Sequence, residues 1–255
     1  MTKLSVNLNK IALLRNQRNI GIPDVIESAN TIIKAGAHGI TVHPRPDERH
    51  IRYADARQLK KVLMLPQAQQ PEQSRKTIEF NIEGNPFTGN LMGLLRELKP
   101  DQATLVPDEP AANTSDHGWD MHQNKERLQP VIRELKDLGI RVSLFMDPDT
   151  EAIAIARETG ADRIELYTEP YARAFRYNDK VEKTLEQFAA AAGFANEIGL
   201  GLNAGHDLNL KNLGKFCSAV PSILEVSIGH ALIADALKMG LENTVKAYLK
   251  VLAQT

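Results

Sequence analysis

Cysteine is nearly absent from these 255 residues: Cys217 is the only one. No disulfide can form within the chain, which excludes a small disulfide-held scaffold. An excess of charge of either sign is missing too, since 31 Lys and Arg stand against 32 Asp and Glu for a net charge of −1. Without a basic block the chain lacks the footprint of a nucleic-acid binder, so its anionic partners should be small molecules. No apolar run approaches the length of a membrane span. The opening MTKLSVNLNK has no apolar segment of a secretory signal, so the expected setting is a reducing cytoplasm with no membrane partner. What remains, 42% hydrophobic and 25% charged residues, is ordinary globular composition. The length suits one domain over 1–255.

Hydrophobic periodicity alternates short aliphatic runs with longer helical patterns. The expected strands are Leu4 to Asn9, Gly39 to His43, Ile78 to Glu83, Ala103 to Pro107, Ile140 to Met146, Arg163 to Tyr167, Leu200 to Ala204 and Ile223 to Ile228. Between them helices are expected over Pro23 to Ala35, Ala54 to Leu65, Pro86 to Leu98, Lys125 to Leu138, Thr150 to Glu158 and Val181 to Ile198. Gly36, Gly139, Gly160 and Gly199 each fall just past a helical pattern, where a C-cap favours positive φ. Asp149-Thr150 and Pro86 stand at helix starts. The polar stretch Gln67 to Arg75 reads as a connection on the stability face. Eight βα units of about thirty residues predict an α/β fold of the TIM (β/α)8 barrel type rather than a doubly wound sheet.

In such a barrel the active site is built where the strands end, and these ends are polar: Asn7, Asn9 and Lys10; His43 and Arg45; Glu83; Asp108; Asp147; Glu165, Thr168 and Glu169; Asn203 and His206; Gly229 and His230. His43, Glu83 and His206 come from three strands, the distribution needed if protons are moved at several atoms of one substrate. Gly205 and Gly229 end strands seven and eight, where backbone N–H groups and a following helix N-terminus would cradle a phosphate; a tight corner would equally require them. Arg45 reads as an anion ligand and Arg49 as a solvated charge. The loop Asp108 to Met121 carries the only tryptophan, Trp119, either as part of a lid or packed on the barrel rim. His38, His117 and His122 fit no cluster. Glu165 and Glu225 lie within strands, and of the two Glu165 is the better candidate for supporting the site.

These strand ends resemble the pyridoxine 5′-phosphate synthases of the deoxyxylulose-dependent vitamin B6 pathway. The resemblance rests on Val6-Asn7-Leu8-Asn9 with Leu14-Arg15-Asn16, Gly39 to Arg45 with Arg49-His50-Ile51, Asn81-Ile82-Glu83, Leu105-Val106-Pro107, Val142 to Phe145, Asn203-Ala204-Gly205-His206 and Ile228-Gly229-His230-Ala231. It implies condensation of 1-deoxy-D-xylulose 5-phosphate with 3-amino-2-oxopropyl phosphate, with no metal or organic cofactor. The family's proton acceptors fall on His43 and Glu83 and its donor on His206. Its deoxyxylulose phosphate contacts fall on Arg45, His50 and Thr114, and its amino-oxopropyl phosphate contacts on Asn7, Arg18, Gly229 and His230. The resemblance further implies a homo-oligomer. Two departures touch substrate positions: Asn9-Lys10 where the family pattern has Asp-His, and Asp207 where it has Gly.

The residues by themselves leave rivals open. His43, Glu83, Asp108, Glu165 and His206 could surround a divalent ion in a sugar-phosphate isomerase or epimerase. Lys10 could serve a Schiff-base aldolase, and a barrel that merely binds a phosphate ligand is the non-enzyme reading.

Overall fold

The period of two along a strand decides which side chains face a barrel's axis and which face its helices. The structure, a computed structural model, describes residues 1–18, 20–63, 78–109 and 115–255. Eight strands, β1 (Lys3–Asn7), β2 (Gly39–Val42), β3 (Glu79–Gly84), β4 (Gln102–Leu105), β5 (Arg141–Met146), β6 (Arg163–Tyr167), β7 (Gly201–His206) and β8 (Ile223–Ile228), form a closed parallel barrel in chain order. Closure is made by β8 against β1, with Leu4 opposite Val226 and Val6 opposite Ile228. This is the expected (β/α)8 barrel.

The outward set, including Leu4, Val6, Ile40, Val42, Phe80, Ile82, Val142, Leu144, Ile164 and Val226, is buried against the helices and forms the hydrophobic core. The inward set is polar, unlike the branched aliphatic filling usual in such barrels. Ser5 Oγ lies 2.7 Å from Thr41 Oγ1, Thr104 Oγ1 donates to Asn81 Oδ1 at 3.1 Å, and Arg163 donates to Asn203 Oδ1 at 3.0 Å. Asn203 on β7 also reaches Gln102 on β4 at 3.4 Å, a contact between non-adjacent strands that runs across the barrel interior. Arg141 is ion-paired with Glu79 and donates to Gln102 at 2.8 Å. An interior held by hydrogen bonds continues directly into a polar mouth.

Among the described residues the helices are α1 (Asn9–Asn16), α2 (Val25–Lys34), α3 (Tyr53–Leu63), α4 (Leu91–Leu98), α5 (Met121–Asp137), α6 (Thr150–Glu158), α7 (Glu169–Tyr177), α8 (Val181–Glu197), α9 (Leu213–Ala219), α10 (His230–Met239) and α11 (Leu241–Leu252). Asp24, Asp120 and Asp149 cap α2, α5 and α6 by accepting from backbone N–H groups two or three residues on. The glycines at 36, 139, 160 and 199 take φ of +106°, +79°, +87° and +78°, as their place past helix ends required.

Five of the helices, α1, α7, α9, α10 and α11, fall outside the ranges expected from periodicity. The eight residues of α1 follow β1 after one residue with no turn signal, and α7 opens on Glu169-Pro170 directly after β6. Pro86 does not start a helix: Asn85 Oδ1 accepts from Phe87 N at 2.9 Å, a side-chain turn that delays α4 to Leu91. The cap at Asp120 starts α5 four residues before Lys125. Gln67 to Arg75 lies outside the described residues. Among the described residues no helix is long and apolar enough to cross a membrane.

Candidate active site

At the C-terminal ends of the strands lies a cavity of about 290 Å³. Of the residues expected there, Asn7, Asn9, Lys10, His43, Arg45, His50, Glu83, His206, Asp207, Gly229 and His230 all line it. Glu165 stands behind the wall, buried, with Oε1 3.8 Å from His206 Nδ1. Arg18 is exposed and does not reach the cavity. The reason is geometric: α1 is eight residues, about 12 Å at 1.5 Å per residue, and carries its far end away from the Asn9-Lys10 turn. Thr114 lies outside the described residues.

Glu83, inward on β3, accepts from Asn7 Nδ2 at 3.1 Å. Burial pushes its carboxyl up to about 8, helped by the negative fields of Asp108 and Glu225 and opposed by hydrogen bonds from Asn7 and Ser227. Burial drives His206 down to about 4, with the Lys10 cation adding to the effect. It holds His43 well below the usual imidazole range, reinforced by Arg45 and His50. Glu165 is pushed well above the ordinary carboxylate range by burial and by Glu83 and Glu225. The cavity therefore holds three imidazoles, His43, His50 and His206, toward their neutral form and the Glu83 carboxyl toward its protonated form. The main chain of this wall is fixed by a relay: Asn7 Oδ1 accepts from Asn9 N, and Asn9 Oδ1 accepts from His43 N, both at 2.9 Å.

The expected anion ligand Arg45 is buried and ion-paired with Asp108, which also accepts from Ser115 Oγ at 2.9 Å and lies 3.9 Å from His43 Nε2. Asp108 thus holds the guanidinium, whose Nη1 also donates to Glu109 O at 3.3 Å. The loop bearing Arg45 and His50 is held by α1: Arg15 grips Asp55 at 2.6 and 2.8 Å, and Asn16 Nδ2 donates to the carbonyls of Glu48, Arg49 and His50. This gives the Leu14-Arg15-Asn16 stretch a structural task. Arg49, partly buried, pairs with Asp47 at 2.7 Å, and its field also reaches His43 and His50.

The two glycine corners differ. A Cβ on Gly205 would stand 2.3 Å from Glu165 Oε1, so this glycine makes room for a buried carboxyl. No helix follows it directly, α9 beginning only at Leu213, and the phosphate cradle expected at strand seven is not formed there. His206, next in the chain, takes φ +88°, a conformation uncommon for a residue with a Cβ and characteristic of constrained sites. Gly229 does precede a helix, the ten-residue α10, whose N-terminal turn with His230 opens on the cavity.

Sequence reasoning missed Ser115, Tyr167 and Ser227 as lining residues; Glu169, expected only as a strand-end residue, lines the cavity as well. The signal for two of them was present: Tyr167 lies two residues past Glu165, and Ser227 two past Glu225, each on its strand's inward face. Trp119 packs on the rim, its Nε1 donating to Leu105 O at 2.8 Å and its ring edge-on to Phe87, so it is no part of the cavity wall. His38 Nδ1 accepts from Leu4 N at 3.1 Å, while His117 and His122 pair with Asp116 and Glu151 on the surface. Among the described residues no three His, Cys, Asp or Glu side chains are arranged to hold a metal ion, so the ligand cage of the isomerase reading is not assembled there.

Fold and site together define a (β/α)8-barrel enzyme whose mouth brings His43, Glu83 and His206 together with Lys10, Arg45 and the N-terminal turn of α10. The sequence matches the family described as "Pyridoxal phosphate biosynthesis protein PdxJ" over residues 4–254, and the chain belongs to that family. It is 52% identical to the pyridoxine 5′-phosphate synthase of Flavobacterium johnsoniae over 252 residues, covering 99% of this chain and 100% of that one. It is 53% identical to the synthase of Christiangramia forsetii, again covering 99% and 100%. Among solved structures, KGPDC from Streptococcus mutans superposes with a TM-score of 0.62 at 11% identity, covering 100% of this chain and 98% of the other, a likeness of fold alone.

Proposed function

We propose that the chain forms pyridoxine 5′-phosphate by condensing 1-deoxy-D-xylulose 5-phosphate with 3-amino-2-oxopropyl phosphate, releasing phosphate and water. The reading is carried by one observation: His43, Glu83 and His206, from three strands, meet in one cavity with protonation states set apart by burial. Imine formation, loss of water, ring closure and phosphate expulsion each add or remove a proton at a different atom. Neutral imidazoles at His43 and His206 accept protons at pH 7, and each also keeps one N–H to donate. Glu83 starts with its proton in place, so it donates first and becomes the acceptor only afterwards.

In this reading Arg45 and His50 take the deoxyxylulose phosphate, while Asn7, Gly229 and His230 take the second phosphate at the α10 N-terminus. Holding both substrates by their phosphates turns the condensation into a reaction between fixed neighbours. The buried, hydrogen-bonded mouth limits water at the imine. The test is incubation of purified protein with both ketone phosphates and detection of pyridoxine 5′-phosphate with stoichiometric inorganic phosphate. No product from folded protein overturns the proposal.

Self-association and a cytoplasmic setting belong to the same proposal. Leu14, Ile20 and Ile22 near α1, together with Leu237 on α10, are large apolar side chains more than half exposed. Light scattering at micromolar concentration should give more than one chain per particle, and fractionated cells should carry the protein with the soluble contents.

A further inference from the structure

The cavity wall carries charges of both signs, the cations of Lys10 and Arg45 and the carboxylates of Glu169 and Asp207. Glu169 is the first residue of α7, and Asp207 follows β7 directly. The two carboxylates are close enough for each other's field to matter: Asp207 is pushed up by burial and then by Glu169, against the opposing fields of Arg176 and His230, and both carboxylates add to the burial that raises the Tyr167 hydroxyl of the same wall. Neither carboxylate has a hydrogen bond or ion pair among the described residues. Asp207 serves the fold through its main chain, its carbonyl accepting from Asn212 Nδ2 at 3.3 Å. Glu169 could be explained alone as an acid in a helix's first turn; Asp207, outside any helix, has no such role. Behind them Glu165 is fully buried with neither oxygen hydrogen-bonded, 3.8 Å from the cavity-lining His206.

Two unpaired carboxylates on the wall of a cavity that receives phosphates would repel the ligand unless it brings a cation of its own. We propose that Asp207 and Glu169 form an ammonium-recognising corner that selects the substrate bearing a primary amine. That this amine belongs to the amino-ketone phosphate rests on the function proposed above. The corner orients the nitrogen toward His206, the residue before Asp207, and leaves the amine-free ketone phosphate to Lys10 and Arg45.

The test uses two probes that cannot react, 3-aminopropyl phosphate and propyl phosphate, titrated calorimetrically into the whole protein. A charge-assisted contact predicts that the wild type binds the aminated probe at least about tenfold more tightly. In D207N that preference should shrink severalfold, and in D207N/E169Q it should vanish while propyl phosphate binds as well as before or better. In turnover, D207N should raise KM for the amino ketone about tenfold and leave KM for the deoxyxylulose phosphate unchanged. D207S, with the melting temperature of each variant, guards against a folding defect at one substitution. A wild type indifferent to the amine, a preference that survives in D207N/E169Q, or an equal rise in both KM values overturns the corner. A wild type that prefers the aminated probe yet makes no pyridoxine 5′-phosphate supports the corner and overturns the proposed reaction instead.

Discussion

Oε1 of Glu165 stands 3.8 Å from Nδ1 of His206, and neither atom has a hydrogen-bond partner among the described residues. Burial biases both groups toward their neutral forms, raising the carboxyl and lowering the imidazole. When Glu165 passes its proton to His206 Nδ1, the carboxylate left behind holds the imidazolium that forms. Glu165→Gln should therefore lower kcat about 10- to 100-fold, the scale of one charge-assisted contact. The folded carboxyl binds its proton more tightly than the unfolded one, so Glu165 costs stability increasingly as pH rises above 4.5. The glutamine should remove that cost. Unchanged kcat, measured beside melting temperatures at pH 6 and 8.5, would sink the pairing.

Glu83→Gln should lower kcat about 10²- to 10⁴-fold with substrate binding little changed, because the amide keeps the shape and the bond to Asn7 but cannot exchange a proton. Pre-steady-state binding beside single-turnover rates separates the two effects. A destabilised variant with near-normal turnover would show that Glu83 serves only the fold.

The His206 ring should resist protonation down to about pH 4. The unfolded imidazole takes up its proton near 6.5, so this site binds fewer protons folded than unfolded between those values. Its contribution to stability is full above 6.5 and is lost as pH falls toward 4. Proton NMR of the assigned ring signals checks this directly; a midpoint at 6.5 would contradict the buried, neutral state.

Arg45→Ala should weaken deoxyxylulose phosphate binding by about 1.5–3 kcal/mol through the lost charge-assisted bond. It should also lower the melting temperature, because Asp108 is left buried without its guanidinium. Adding Asp108→Asn should recover the stability and not the binding. A double variant that regains affinity would mean that Arg45 acts only as a partner for Asp108.

Trp119 emission should be blue-shifted and poorly quenched by iodide with or without substrates, since its ring is buried against Phe87 and its N–H is bonded to Leu105. Strong quenching in the free protein that ligand abolishes would assign it to a moving segment and restore its use as a lid reporter.

The barrel was legible in the sequence because its cause is local. Aliphatic runs of four to six residues, helices stopped by glycine and capped by aspartate, and eight repeats of one unit leave a closed parallel sheet as the arrangement that buries both strand faces. The strand-end position of His43, Glu83 and His206 follows from the same count, which is why most expected lining residues meet in one cavity. Thr114 falls outside the described residues.

Distances across the barrel, by contrast, depend on register, and no single strand encodes it. Only the tertiary structure decided that Gly205 makes space for Glu165, that Arg45 arrives already paired with Asp108, and that Arg18 does not line the mouth. Proton affinity is decided at the same level. A glutamate reads the same at any position in the sequence, but at 83 and 225 burial lifts the carboxyl to about 8, because desolvation is set by everything packed around a group and not by its neighbours in sequence.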